Sequence, residues 1–76
     1  MKTPSYPRFL SPEQISTIRA RFSSGYKLSQ AAGTNGYYTE LHLRRERKVL
    51  RHSVERYAKA LGMGVKKFES LDLTTL

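Results

Sequence analysis

The side chains with the greatest chemical reach cluster in one stretch, NGYYTELHLRRERK, Asn35 to Lys48. Two tyrosines, a threonine, a histidine and four basic residues fall within fourteen positions, and no proline interrupts them. Such a segment is too polar to be wholly interior and too aromatic to be a plain solvated face. Its donors and acceptors match those of nucleic-acid bases and phosphates. A threonine such as Thr39 can touch a thymine methyl or a base edge. A carboxylate such as Glu40 can accept from the cytosine amino group, and Arg44 can grip guanine or a phosphate. Arg45, Arg47, Lys48 and Arg51 have the charge and length for backbone phosphates, each contact adding to the salt dependence of binding. Asn35, Tyr37 and His42, with Tyr26 and Lys27 just upstream, complete the candidate contact set.

Other chemistries find little support. There is no Ser–His–Asp pattern, no believable pair of catalytic carboxylates and no glycine-rich phosphate loop before a helix, so an enzyme is not expected. Cysteine is absent. The two histidines, His42 and His52, cannot build a structural metal centre by themselves. Neither cofactor, metal nor small-molecule ligand is expected. No apolar run approaches the length of a transmembrane helix, and the N-terminus lacks the apolar stretch of a signal peptide. A soluble intracellular protein is the expectation.

The bulk numbers point the same way. Fourteen Lys and Arg against six Asp and Glu leave the 76-residue chain at +8, with a pI near 10.2. A charge that large on so short a chain implies a polyanionic partner. Membrane-surface binding would need a bulky apolar helix face. The best such stripe, Leu50, Val54, Tyr57 and Leu61, is needed for the core of a domain this small.

Positioning that stretch requires a framework, and the chain marks one out. Residues 1–10 hold Pro4 and Pro7 with Lys2 and Arg8, and read as a flexible basic arm. In LSPEQISTIRARF, Ser11 is a helix N-cap, Pro12 suits the first helical position, and Gln14 completes a capping box. Ile15, Ile18 and Phe22 form one buried stripe. Ser23 or Ser24 can cap a second helix through Leu28 to Ala32, ended by Gly33, with Asn35 capping the next. A competing reading is an α-β-β-α module with a hairpin at about 26–43, because Tyr26, Leu28 and Gln30 alternate, as do Tyr37, Thr39, Leu41 and Leu43 around GTNG. Helices are preferred, since Ala31 and Ala32 are poor strand formers. In the third helix Tyr38 and Leu41, three apart, are expected to face inward. A charged link near Arg45 to Val49 then precedes a fourth helix carrying the Leu50–Leu61 stripe and stopped by Gly62. Val65, Phe68 and Leu71 suggest a short fifth helix. Residues 72–76 read as a tail whose leucines pack back or meet a second copy.

The order of these pieces resembles the lambda-repressor-like, xenobiotic-response-element (Cro-like) helix-turn-helix family. The clearest match is SVERYAKALGMGVKKFESL, Ser53 to Leu71, with its YAKALG helix end, small turn and last short helix. IRARF at the end of the first helix also matches, and LSQAAGTNGYY looks like the second helix, the turn and the start of the recognition helix. The resemblance covers about residues 11–71. It implies an all-α, five-helix domain and a bacterial or phage transcription regulator in the cytoplasm. Such a regulator binds duplex DNA as a homodimer on a palindromic operator. Counted from Gly33 at the turn, the family's two buried recognition-helix positions fall on Thr39 and His42 rather than on Tyr38 and Leu41. Either the turn is about one residue shorter than usual or the register differs. An excisionase- or integrase-arm-like DNA-binding module, and a basic protein- or RNA-interaction module, remain as alternatives.

Overall fold

Five helices account for the regular structure of the computed structural model, which describes residues 5–71. They are α1 (Pro12–Arg21), α2 (Gly25–Ala32), α3 (Gly36–Leu43), α4 (Arg51–Ala60) and α5 (Val65–Ser70). No strand occurs among the described residues, so the hairpin at about 26–43 is excluded. The only β contact found there is an isolated antiparallel bridge between Arg8 and Val49.

Local chemistry explains where the helices start and stop. Ser11 Oγ accepts from the Gln14 N–H at 3.1 Å, and Gln14 Oε1 accepts from the Ser11 N–H at 2.9 Å. That reciprocal pair satisfies two amides that the helix itself leaves orphaned. Gln14 is buried, and its Nε2 donates to the Phe68 carbonyl at 3.0 Å, fastening α1 to α5. Ser24 caps α2 through the Lys27 N–H. Gly33 ends α2 in the left-handed conformation, φ 69°, which a side chain resists. Gly62, φ 71°, ends α4, and the Met63 N–H reaches back to the Ala58 carbonyl.

The core draws on every helix. Leu10, Ile18, Leu28, Leu43, Val49, Val54, Tyr57, Ala58, Leu61 and Phe68 form one buried cluster, with Ile15 and Phe22 half-buried at its edge. α2 packs on α3 and α4, and α4 packs on α5. No side-chain nitrogen or oxygen buried among the described residues lacks a partner.

Two expectations are corrected. Residues 5–10 are not a free arm. Leu10 is fully buried, Arg8 and Val49 exchange backbone hydrogen bonds at 3.1 and 2.6 Å, and the Tyr6 hydroxyl donates to Glu69 at 2.6 Å. Leu50 does not lead the buried stripe of α4; it stands half-exposed as the N-cap, and Val49 is buried in its place. The bridge to Arg8 fixes the backbone so that Val49 points inward. The rest of the arm and the 72–76 tail lie outside the described residues.

Candidate nucleic-acid interface

α2, the turn 33–35 and α3 form a braced pair. Asn35 Oδ1 accepts from the N–H groups of Tyr37 and Tyr38, at 2.9 and 3.2 Å, and so fixes the direction of α3. At the other end Glu40 reaches across to α2, where its carboxylate accepts from the Gly25 N–H at 2.7 Å. A β-carbon on Gly25 would collide with that carboxylate, so the close approach depends on glycine there. The negative charge at the start of α2 also suits the helix dipole.

The rotation of α3 about its axis decides which side chains it presents to solvent. Thr39 is fully buried, and His42 and Leu43 nearly so. The inward side is therefore built on the two positions counted from Gly33, and Tyr38 and Leu41 are not interior: Tyr38 is exposed and Leu41 only half-buried. A hydrogen-bond chain makes this polar interior affordable. Thr39 Oγ1 donates its single proton to the Asn35 carbonyl at 2.9 Å. It therefore accepts from the Tyr57 hydroxyl at 3.2 Å. With its own proton committed, Tyr57 accepts at 2.7 Å from His42 Nδ1–H. Thr34 Oγ1 joins Thr39 at 2.8 Å. Burial, helped by the charge of Arg47, pushes the His42 imidazolium down to a pKa of about 4, so the ring is neutral at physiological pH. Burial likewise raises the Tyr57 hydroxyl.

Thr39 and His42 are thus corrected from candidate contacts to structural members of the core. Thr39 Oγ1 and His42 Nδ1 are spent on holding α3 to α4, and Thr39 has no surface to offer a base. Glu40 is engaged twice, by Gly25 and by Arg44 at 3.7 Å. Asn35 is a cap whose carboxamide oxygen is occupied. Arg51 is drawn to Glu55 and Glu69, at 3.9 and 3.8 Å.

What remains outward is a continuous strip. Tyr37, Leu41 and Arg44 lie at i, i+4 and i+7, one side of the helix opposite the Thr39–His42 side. Tyr37 is 70% exposed. Tyr26 is exposed on α2, its ring edge 3.3 Å from where a β-carbon on Gly36 would be, so it borders the start of α3; Lys27 is exposed beside it. Past the end of α3, Arg45, Arg47 and Lys48 are all exposed. Arg45 sits at φ 58°, the conformation usually left to glycine. Its guanidinium lies 5.8 Å from the Phe9 ring centre, with the Lys48 ammonium 5.6 Å from the same ring. Arg47 stacks on Tyr38 at 4.4 Å. These aromatic contacts orient the cations without neutralising them.

Leu41 and Tyr38 were missed as outward residues because their apolarity argued for the interior. The count from the turn glycine was the signal that could have found them. Arg56 was also missed; its Nη1 donates to the Gly33 carbonyl at 2.9 Å and places a further cation beside the turn. No group of three or more potential metal ligands occurs among the described residues, and no helix there is long and apolar enough to cross a membrane. No protein-family model matches the chain, and no curated protein and no solved structure gives a significant match.

Proposed function

We propose that this protein is a sequence-specific double-stranded DNA-binding regulator. Its α2–turn–α3 unit acts as a helix-turn-helix of the lambda-repressor-like kind, and it represses transcription by occupying promoter sequence. The observation that carries the reading is the outward strip Tyr37–Leu41–Arg44 on a helix anchored from behind, with uncompensated cations just beyond its end. An α-helix of this size fits the major groove. Arg44 is the residue for guanine, released from its exposed ion pair with Glu40 at little cost. Leu41 and the Tyr37 ring edge offer apolar contact to thymine methyls. Arg45, Arg47 and Lys48 take phosphates on one flank, and Lys27, with the Tyr26 hydroxyl, takes them on the other. One such unit makes few base contacts, so the functional form is a homodimer on a palindromic operator.

The test is selection of bound duplexes from a random pool at physiological salt, followed by titrations of the selected site. The expected product is a two-fold-symmetric site. Arg44→Ala should weaken binding by about 1–3 kcal/mol and relax preference at one base pair per half-site. Arg47→Gln or Lys48→Gln should flatten the log–log salt slope by about 0.9 per phosphate lost, leaving sequence preference intact. No enriched sequence, equal loss on specific and random DNA for Arg44→Ala, or preference for RNA or single strands would refute the proposal.

A further inference from the structure

A cleft of about 370 Å³ opens between the α2–α3 turn, α3 and the first half of α4. That lies within the roughly 300–1,000 Å³ of small-molecule sites, and it lies to one side of the Tyr37–Leu41–Arg44 strip. Its rim carries Arg47, Lys48 and Arg56. None of these three has a carboxylate partner among the described residues. One wall is the exposed Tyr38 ring, already stacked by Arg47 at 4.4 Å.

The floor is more selective than the rim. It is formed by Thr39, His42 and Tyr57, whose hydrogen-bond chain consumes the Nδ1 proton of His42. Neutral His42 then carries a bare lone pair on Nε2. That nitrogen has no protein partner, yet no buried side-chain nitrogen among the described residues is left unsatisfied. Nε2 is therefore reached by solvent, and the open space that His42 lines is the cleft. The site accordingly pairs an acceptor in its floor with three cations at its mouth, about one aromatic wall.

We propose that this cleft binds a free nucleotide. The phosphate sits among Arg47, Lys48 and Arg56, the base lies against Tyr38, and a base N–H donates to His42 Nε2. Inorganic phosphate satisfies only the rim. A duplex phosphate also satisfies only the rim, because its base is paired and stacked away from the floor. A nucleotide satisfies both.

The test uses the full chain with backbone-amide NMR and calorimetry. It is titrated separately with the four ribonucleoside 5′-monophosphates, the matching nucleosides, inorganic phosphate and a short random duplex. At least one nucleotide is expected to saturate, shifting the amides of Thr34, Asn35, Tyr38 and Tyr57. Its nucleoside should bind at least tenfold more weakly, as should inorganic phosphate. Lys48→Gln and Arg56→Gln should each cost about tenfold in nucleotide affinity, with the free-protein spectrum showing that the fold is kept. Arg19→Gln, a change on exposed α1 away from the cleft, should cost nothing. The proposal is overturned if no nucleotide saturates, if phosphate alone binds as tightly, if Arg19→Gln weakens binding equally, or if the duplex shifts the cleft amides while no nucleotide does. None of these readouts depends on sequence-specific DNA binding.

Discussion

Replacing Tyr57 by Phe removes one oxygen from the fully buried centre of the domain, and its cost can be worked out bond by bond. The hydroxyl donates to Thr39 at 3.2 Å and accepts from His42 at 2.7 Å. Thr39 Oγ1 keeps two partners, Thr34 and the Asn35 carbonyl, so its share of the loss is small, about 0.5 kcal/mol. His42 Nδ1 loses the only partner it has. Moving the proton to Nε2 only exchanges a stranded donor for a stranded acceptor, and a stranded buried polar group costs about 1–3 kcal/mol. The sum is about 2 kcal/mol. For a domain this size each kcal/mol moves the melting temperature by roughly 4–8 °C, so Tyr57→Phe should melt about 10 °C lower by circular dichroism. In a double-mutant cycle, Thr39→Val and Tyr57→Phe should couple by about 0.5 kcal/mol or more, since they share a bond. A variant melting within about 2 °C of the parent would refute the claim that this chain of hydroxyls and imidazole sets the rotation of α3.

Acidification should act on the same network. The native state refuses the His42 proton down to about pH 4, whereas the unfolded chain takes it near the ordinary 6.5. Stability is therefore fully present above pH 6.5 and falls as pH drops from 6.5 toward 4, with a limiting slope of about 1.4 kcal/mol per pH unit. Urea melts across that window check it, and a flat profile would contradict it. Of the three left-handed residues among those described, Gly33 and Arg45 should respond in opposite directions to substitution. Gly33→Ala, whose β-carbon would meet nothing closer than Arg56 Nη1 at 3.5 Å, should cost about 1 kcal/mol from backbone strain alone. Arg45→Gly should stabilise by about 0.5–1 kcal/mol while weakening DNA binding, read by thermal melts and duplex titration together.

The sequence made the framework plain wherever a boundary is governed by local chemistry. The Ser11–Gln14 box, the Ser24 cap, the Gly33 and Gly62 stops and the Asn35 cap all act within a few residues, and each stands as its residue type implies. Rotation and register were harder to read. Hydrophobicity placed Tyr38 and Leu41 inside α3, but Thr39 and His42 occupy the interior because Tyr57, eighteen and fifteen residues away, satisfies their polar atoms. Val49 takes the buried place expected of Leu50 because Arg8, on the far side of three helices in sequence, pairs with its backbone. Such distant partners leave no periodic mark. The cationic composition of the 44–48 stretch was evident. The cleft was not, because Arg56 and His52 come to it from a different helix.

The strap at residues 5–10 has a bearing on experiments at the chain's start. Arg8 holds Val49, the residue immediately after the Arg45–Lys48 cations, and Tyr6 holds Glu69 on α5. Shortening the protein to the first capped helix would keep the α1 cap yet remove the buried Leu10 and untether the basic loop some forty residues downstream. The opening segment thus serves as a stay for the surface its Phe9 ring helps to build, and a trimmed version loses the packing of Leu10 together with the aim of its charges.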